Sequence, residues 1–298
     1  MHKKLEDTYA EVFEGVYTRL IVTAKDYARL NLAANSSTAL PSVVINRLEG
    51  GIERWLDTKE TPDGRIGAIL QFWGELKEGN LKYSVTRFYK ELSYRIRQGI
   101  LVVPTTAVYN ALHSEDKIDV MRRIGHCGDG HELNDELYGR KIIRIPLMMG
   151  EFIIERFLGL SKGIMGGNIW ILCHDEDSAL KAGEKALKAI QNIEGVITPF
   201  GICSAGSKPE TNFPEIGPTT NHQYCPTLKE KISDSKVPEG VNSIPEIVIN
   251  GTSLSAVKEA MKVAIQSVEY IDGVVKISAG NYGGKLGKYK IFLKELFV

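Results

Sequence analysis

One residue in this 298-residue chain joins a reactive side chain to an unusual setting: Glu246, inside Ile244-Pro-Glu-Ile-Val-Ile-Asn250. The stretch is otherwise apolar and reads as a strand. A carboxyl buried there holds its proton to higher pH, which suits general acid catalysis near neutrality. The alternative is a glutamate facing solvent from an edge strand. A second candidate is the loop Ala279-Gly-Asn-Tyr-Gly-Gly-Lys285, followed by Gly287 and Lys288. Gly280, Gly283 and Gly284 let backbone amides converge on an anion, and Lys285 adds charge beside Asn281 and Tyr282. A phosphate or carboxylate tail fits such a loop. A tight connection into a last strand over 289–293 fits it equally. The third candidate is Asp129, with Gly128, in Gly125-His-Cys-Gly-Asp-Gly130, where a plain turn aspartate is the competing reading.

Other chemistries find less support. His222-Gln-Tyr-Cys225, His126-Cys127 and Cys173-His174 resemble ligand pairs, but structural zinc needs four convergent ligands, usually as two close pairs. Core thiols and loop histidines explain them better, and no metal is expected. No Walker loop, dinucleotide fingerprint or nucleophile elbow occurs. Lys plus Arg and Asp plus Glu balance at 37 each, so no global basic field draws nucleic acid or an anionic membrane. The four cysteines form no C-x-x-C pair and read as reduced thiols. The polar start of the chain and the lack of an apolar run of about 18 residues complete the expectation of a soluble cytoplasmic protein.

The elements that must position these residues are clearest in the second half. A strand over 168–173, an acidic helix start at His174-Asp-Glu-Asp177, a helix over 178–193 and a strand over 195–199 form one unit. The pattern returns as a strand over 245–250, a capping Gly251-Thr-Ser253, a helix with an apolar stripe at Val257, Met261, Ala264, Ile265 and Val268, and a strand over 274–278. Ser178-Ala179 matches Ser255-Ala256, Lys181 matches Lys258 and Lys185 matches Lys262, a spacing of 77 that sets Glu246 on Ile169. After one inserted residue, Gly195-Val196 matches Gly273-Val274. Two such units make a split βαβ, or ferredoxin-like, arrangement. The polar, proline-bearing stretch 209–243 is the excursion between them. The first half has a compatible order: a strand over 16–23, a helix over 24–34, a β-branched stretch over 42–46, a turn at Thr61-Pro-Asp-Gly64, a strand over 66–73, a helix from Leu81 to near Gly99, and strands over 100–103 and 142–148. The expected fold is α+β, two ferredoxin-like lobes over 1–148 and 149–298, the second with a long insertion at about 205–243.

At these residues the sequence resembles the formylmethanofuran–tetrahydromethanopterin formyltransferase family. The resemblance is carried by Thr61-Pro-Asp-Gly-Arg65, Pro104-Thr-Thr-Ala-Val108, Glu136-Leu-Tyr-Gly-Arg-Lys141, Gly150-Glu-Phe152, Glu194-Gly-Val-Ile-Thr-Pro-Phe200, Glu246-Ile-Val-Ile-Asn-Gly251 and Ala279-Gly-Asn-Tyr-Gly-Gly284. Val103 departs from it, standing where the family leads one to expect cysteine. The resemblance implies two ferredoxin-like lobes, a homotetramer with active sites near subunit contacts, and no metal or prosthetic group. It implies formyl transfer from N-formylmethanofuran to N5 of tetrahydromethanopterin, both coenzymes acting as substrates, in one-carbon metabolism such as methanogenesis. It carries the family's catalytic glutamate onto Glu246, and the coenzymes' anionic tails give the 280–288 loop a ligand. Two alternatives stand beside it: the formyltransferase subunit of a complex with a hydrolase, and a non-catalytic ferredoxin-like ligand-binding module.

Overall fold

The computed structural model describes residues 3–39, 48–77 and 80–298; the stretch 42–46 lies outside them. The chain divides into two compact units, one formed by Gly15–Lys162 and the other by the residues before Gly15 together with Gly163–Val298. Both mix strands with helices, and there are four α-helices among the described residues.

In the first unit, β1 (Tyr9–Thr23, part of this unit from Gly15 on) leads to α1 (Tyr27–Thr38), β2 (Glu49–Leu56), β3 (Gly67–Glu75), α2 (Leu81–Arg95) and β4 (Ala107–Asn110). Asp26 caps α1 by accepting from the Arg29 amide at 3.0 Å. The strands run β2-β3-β1-β4, each antiparallel to its neighbour. Five strands follow: β5 (Lys117–Asp119), β6 (Leu133–Leu137), β7 (Arg140–Leu147), β8 (Gly150–Glu155) and β9 (Phe157–Gly159). Of these β8, β7 and β6 extend the sheet beyond β4, while β5 and β9 pair with each other. The core packs Leu30, Ala33 and Ala34 of α1 and Phe88 and Leu92 of α2 against Leu20, Val22, Leu70 and Phe72.

The strand expected over 100–103 is a correction. Ile96–Leu101 is a π-helical turn continuing α2, and the strand begins at Ala107. Leu92, Ile96 and Ile100 prolong the helical stripe into the core, so burial overrides β-branched propensity. Gly99 permits this, because a Cβ there would lie 2.6 Å from the Ser37 Cα.

The second unit contains β10 (Ser161–Cys173), α3 (Glu176–Ile190), β11 (Val196–Ile197), β12 (Glu246–Gly251), α4 (Leu254–Val268), β13 (Val274–Ser278) and β14 (Tyr289–Phe292). Its strands run β11-β12-β10-β13, again antiparallel. Asp175 caps α3 and Ser253 caps α4, each accepting from the amide three residues on, at 2.7 and 3.1 Å. The chain's start belongs here: Tyr9–Val12 pair with β14, and Leu5 bridges Ile277.

The pleat corrects the register of the repeat. Ile169, Ile171 and Cys173 of β10 and Ile247 and Ile249 of β12 enter the core beneath α3 and α4. Alternation puts Asn168, Trp170 and Glu246 on the opposite face. The helices repeat at a spacing of 78, from Glu176 to Leu254, so Glu246 corresponds to Asn168 and not to Ile169. The spacing of 77 would turn Glu246 into the helix-covered core.

Candidate active site

Glu246 opens β12, an interior strand between β10 and β11, which excludes the edge-strand reading. It is 7% exposed. Its backbone exchanges two 2.8 Å hydrogen bonds with Cys203. Trp170 Nε1 donates to Glu246 Oε1 at 2.9 Å, and the Cys203 thiol also donates to the carboxylate. Burial pushes the Glu246 pKa upward and outweighs those two donors. A carboxyl that keeps its proton to higher pH than usual suits general acid work. The Cys203 thiol is itself pushed up, by burial and then by the neighbouring Glu246 charge, so it is not a thiolate nucleophile.

The excursion after β11 builds the rest. It carries short 3-10 turns at Pro214–Ile216, His222–Tyr224 and Pro226–Leu228 and otherwise lacks regular structure. Tyr224 meets Trp170 edge-on with ring centroids 4.7 Å apart, and Tyr282 donates its hydroxyl proton to the Ser207 carbonyl at 2.8 Å. The excursion therefore lies over the face that carries Glu246. It leaves two cavities. One, of about 420 Å³, is walled by Glu246, Trp170, Cys203, Asn221 and Tyr224 among others. The second, of about 380 Å³, is walled by Lys208, His222, Lys236, Asn281, Tyr282 and Gly283, and shares Asn221 and Tyr224 with the first.

The glycine loop is an anion nest, and the anion is the chain's own. The amides of Tyr282, Gly284, Leu286 and Gly287 donate to the Glu11 carboxylate at 2.6, 2.7, 3.0 and 3.2 Å. Burial raises the Glu11 pKa, but these four amides outweigh it and the net shift is downward. Lys285 pairs with Glu210. The backbone read as a receptor for an external tail is thus engaged internally, and Asn281, Tyr282 and Gly283 are the loop residues that reach a cavity. Gly280 donates its amide to Asn168 Oδ1 at 2.6 Å. A Cβ on Gly280 would come within 3.0 Å of both Trp170 and the Tyr282 hydroxyl, so glycine lets the loop lie on the tryptophan. Burial, then the Glu246 and Glu11 charges, push the Tyr282 phenol far above its usual range.

Gly128 and Asp129 belong to the other unit. Asp129 is exposed, with φ 53°, and closes a 3-10 turn by donating its amide to the His126 carbonyl at 3.1 Å. This is turn-aspartate geometry. Among the described residues no group of three or more His, Cys, Asp or Glu is arranged to hold a metal, and no helix is long and apolar enough to cross a membrane. Sequence reasoning missed Trp170, Cys203, Asn221 and Glu11. Trp170 alone carried a signal, an N–H inside an apolar strand that needs a partner.

Comparison with known proteins decides the family. A family description, "Formylmethanofuran-tetrahydromethanopterin formyltransferase", matches residues 2–147, and "FTR, proximal lobe" matches 150–296. The chain belongs to the formylmethanofuran–tetrahydromethanopterin formyltransferase family. A relative from Archaeoglobus fulgidus, called a formyltransferase-like protein of this type, is 58% identical over 98% of this chain and 96% of its own. Relatives called the formyltransferase without that suffix include one from Methanocaldococcus jannaschii, 42% identical over 98% of this chain and 97% of its own. The solved Methanosarcina barkeri formyltransferase superimposes with a TM-score of 0.89 at 40% identity, covering 99% of this chain and 98% of that one. A formyltransferase/hydrolase complex from Methylorubrum extorquens, solved with methylofuran, contains a chain with the same TM-score at 34% identity, covering 99% and 96%.

Proposed function

We propose that this chain transfers the formyl group of N-formylmethanofuran to N5 of tetrahydromethanopterin, both bound at once, with Glu246 as the proton-carrying group. The observation that supports it is a buried carboxyl with a raised pKa on the wall of a cavity, in a chain of this family. The pterin nitrogen attacks the formyl carbon and a C–N bond forms. The carbonyl oxygen becomes an oxyanion, which protonated Glu246 stabilises by hydrogen bonding. The C–N bond to methanofuran then breaks, and the proton lost by the attacking nitrogen reaches the departing amine through the carboxyl. The excursion holds the reacting nitrogens together and excludes water.

The strand orders β2-β3-β1-β4 and β11-β12-β10-β13 support reading the units as two ferredoxin-like lobes. Within the loop the reading uses Asn281, Tyr282 and Gly283 as wall; Gly280, Gly284 and Lys285 act by holding it. Gly128 and Asp129 are asked for no chemistry. A homotetramer in the cytoplasm is the proposed assembly. The formyltransferase/hydrolase neighbour favours a second reading, a subunit of a larger complex; sedimentation of the purified protein separates the two.

The test is spectroscopic formation of the formyl pterin from N-formylmethanofuran. Glu246→Gln is expected to lose most turnover, on the order of 100-fold or more, while keeping fold and substrate affinity. Near-normal turnover in the variant would sink the role of Glu246, and no activity in folded wild type would refute the proposal.

A further inference from the structure

Asn221 is buried, 7% exposed, and its side-chain oxygen Oδ1 has no hydrogen-bond partner. Such a group in a folded interior calls for an explanation, because a buried carbonyl without a donor loses its hydration for nothing. Its position supplies one. Asn221 stands in the walls of both cavities, the one holding Glu246 and the one lined by Lys208 and Lys236. The backbone around it is fully committed. Its amide donates to the Ala205 carbonyl at 3.5 Å, and its carbonyl accepts from the Tyr224 amide at 2.9 Å and from the Cys225 thiol at 3.5 Å. The residue is therefore anchored while its side-chain oxygen is unused. The terminal torsion of asparagine is broad, so a small rotation turns that oxygen toward either cavity.

We propose that Asn221 is a substrate-orienting residue, whose Oδ1 accepts the formamide N–H of the formyl donor and fixes the plane of the scissile amide beside Glu246. This rests on the formyl-transfer reading and adds a residue to it. A secondary formamide offers one N–H and one carbonyl oxygen. Protonated Glu246 is a donor and matches the oxygen; an acceptor is needed for the N–H, and Asn221 is an acceptor without a partner. The tertiary formamide of the product, formyl pterin, has no N–H on its formyl nitrogen, so the contact discriminates the two ends of the reaction.

The experiment compares wild type, Asn221→Ala and Asn221→Asp, each checked for an unchanged melting temperature. KM and kcat are measured for N-formylmethanofuran, and calorimetric Kd values are taken for N-formylmethanofuran and for formyl pterin. Asn221→Ala is expected to raise KM and Kd for N-formylmethanofuran about tenfold and to leave Kd for formyl pterin within about twofold, as loss of one hydrogen bond to a buried partner implies. Asn221→Asp keeps an acceptor and is expected to bind the donor more tightly than Asn221→Ala. Unchanged donor affinity in Asn221→Ala, or equal weakening toward both ligands, overturns the inference while leaving formyl transfer intact. Wild type that neither binds nor turns over N-formylmethanofuran overturns both.

Discussion

Two glutamates of the same unit are buried and shifted in opposite directions, because burial and hydrogen-bond donors balance differently at each. Glu11 collects four backbone amides and its pKa falls; Glu246 collects one indole N–H and one thiol, and burial prevails. A raised pKa means that the folded state holds the Glu246 proton where the unfolded chain has lost it. Stability contributed by this group is complete below the ordinary glutamate pKa and is lost as pH rises through the folded value. Glu246→Gln is thus expected to match wild type in acid and to exceed it in stability at higher pH, which urea titrations across pH would show. The donors set the reactive window. Removing the thiol with Cys203→Ala takes away a group that favours the charged form. The Glu246 pKa should climb further and the alkaline limb of the kcat/KM profile should move up. Cys203→Ser keeps a donor and should move it less. Coincident profiles for all three proteins would show that the thiol plays no part.

At the scale of elements, the glycine loop is held by a carboxylate far away in sequence, and this gives it a testable fragility. In Glu11→Gln the side-chain amide presents N–H groups to backbone N–H donors, so the nest loses most of its anion. A loss of about 2 kcal/mol follows from hydrogen bonds to a charged acceptor. Because the Glu11 pKa is lowered, the stability it contributes is present above the ordinary glutamate value and disappears as pH falls through the depressed one. Faster amide exchange at Gly284 and Gly287 in the variant, approached by wild type in acid, is the expected reading; unchanged exchange would refute it. The sequence made the loop, its caps and the repeat legible because these are local: glycines that free φ, Asp175 and Ser253 before apolar stripes, matched lysines along two helices. Glu11 was not legible, lying 273 residues from Gly284. Ile100 misled for a related reason, since a β-branched residue in a helical stripe is decided by what it packs on. The spacing of 77 failed because helix-surface identities do not fix strand parity, whereas the pleat does.

At the scale of the whole molecule, the family descriptions divide the chain between 147 and 150, while compactness divides it at Gly15 and Gly163. The two differ over the residues before Gly15 and over 150–162, and the first of these stretches is tied to the second unit. The Lys4 carbonyl accepts from the Ile277 amide at 2.8 Å, and the Glu6 amide donates to the Ile277 carbonyl at 2.9 Å. Ala10 and Val12 enter the core beneath α3 and α4, and Tyr9–Val12 supply the partner of β14. A fragment of residues 149–298 therefore lacks a strand, the core side chains of Leu5, Ala10 and Val12 and the Glu11 anion, and exposes an unpaired edge beside buried Ile291. Expressed alone, it is expected to aggregate or to lose its near-ultraviolet circular dichroism. A peptide of residues 3–14 added in trans should restore both the signal and a cooperative urea transition, by adding the missing strand. In that reconstitution the Glu11→Gln peptide should bind at least tenfold more weakly, a factor that about 1.4 kcal/mol produces. A fragment that unfolds cooperatively without the peptide, and no more stably with it, would favour a boundary at 148 and make the first residues an appendage of the unit that follows them.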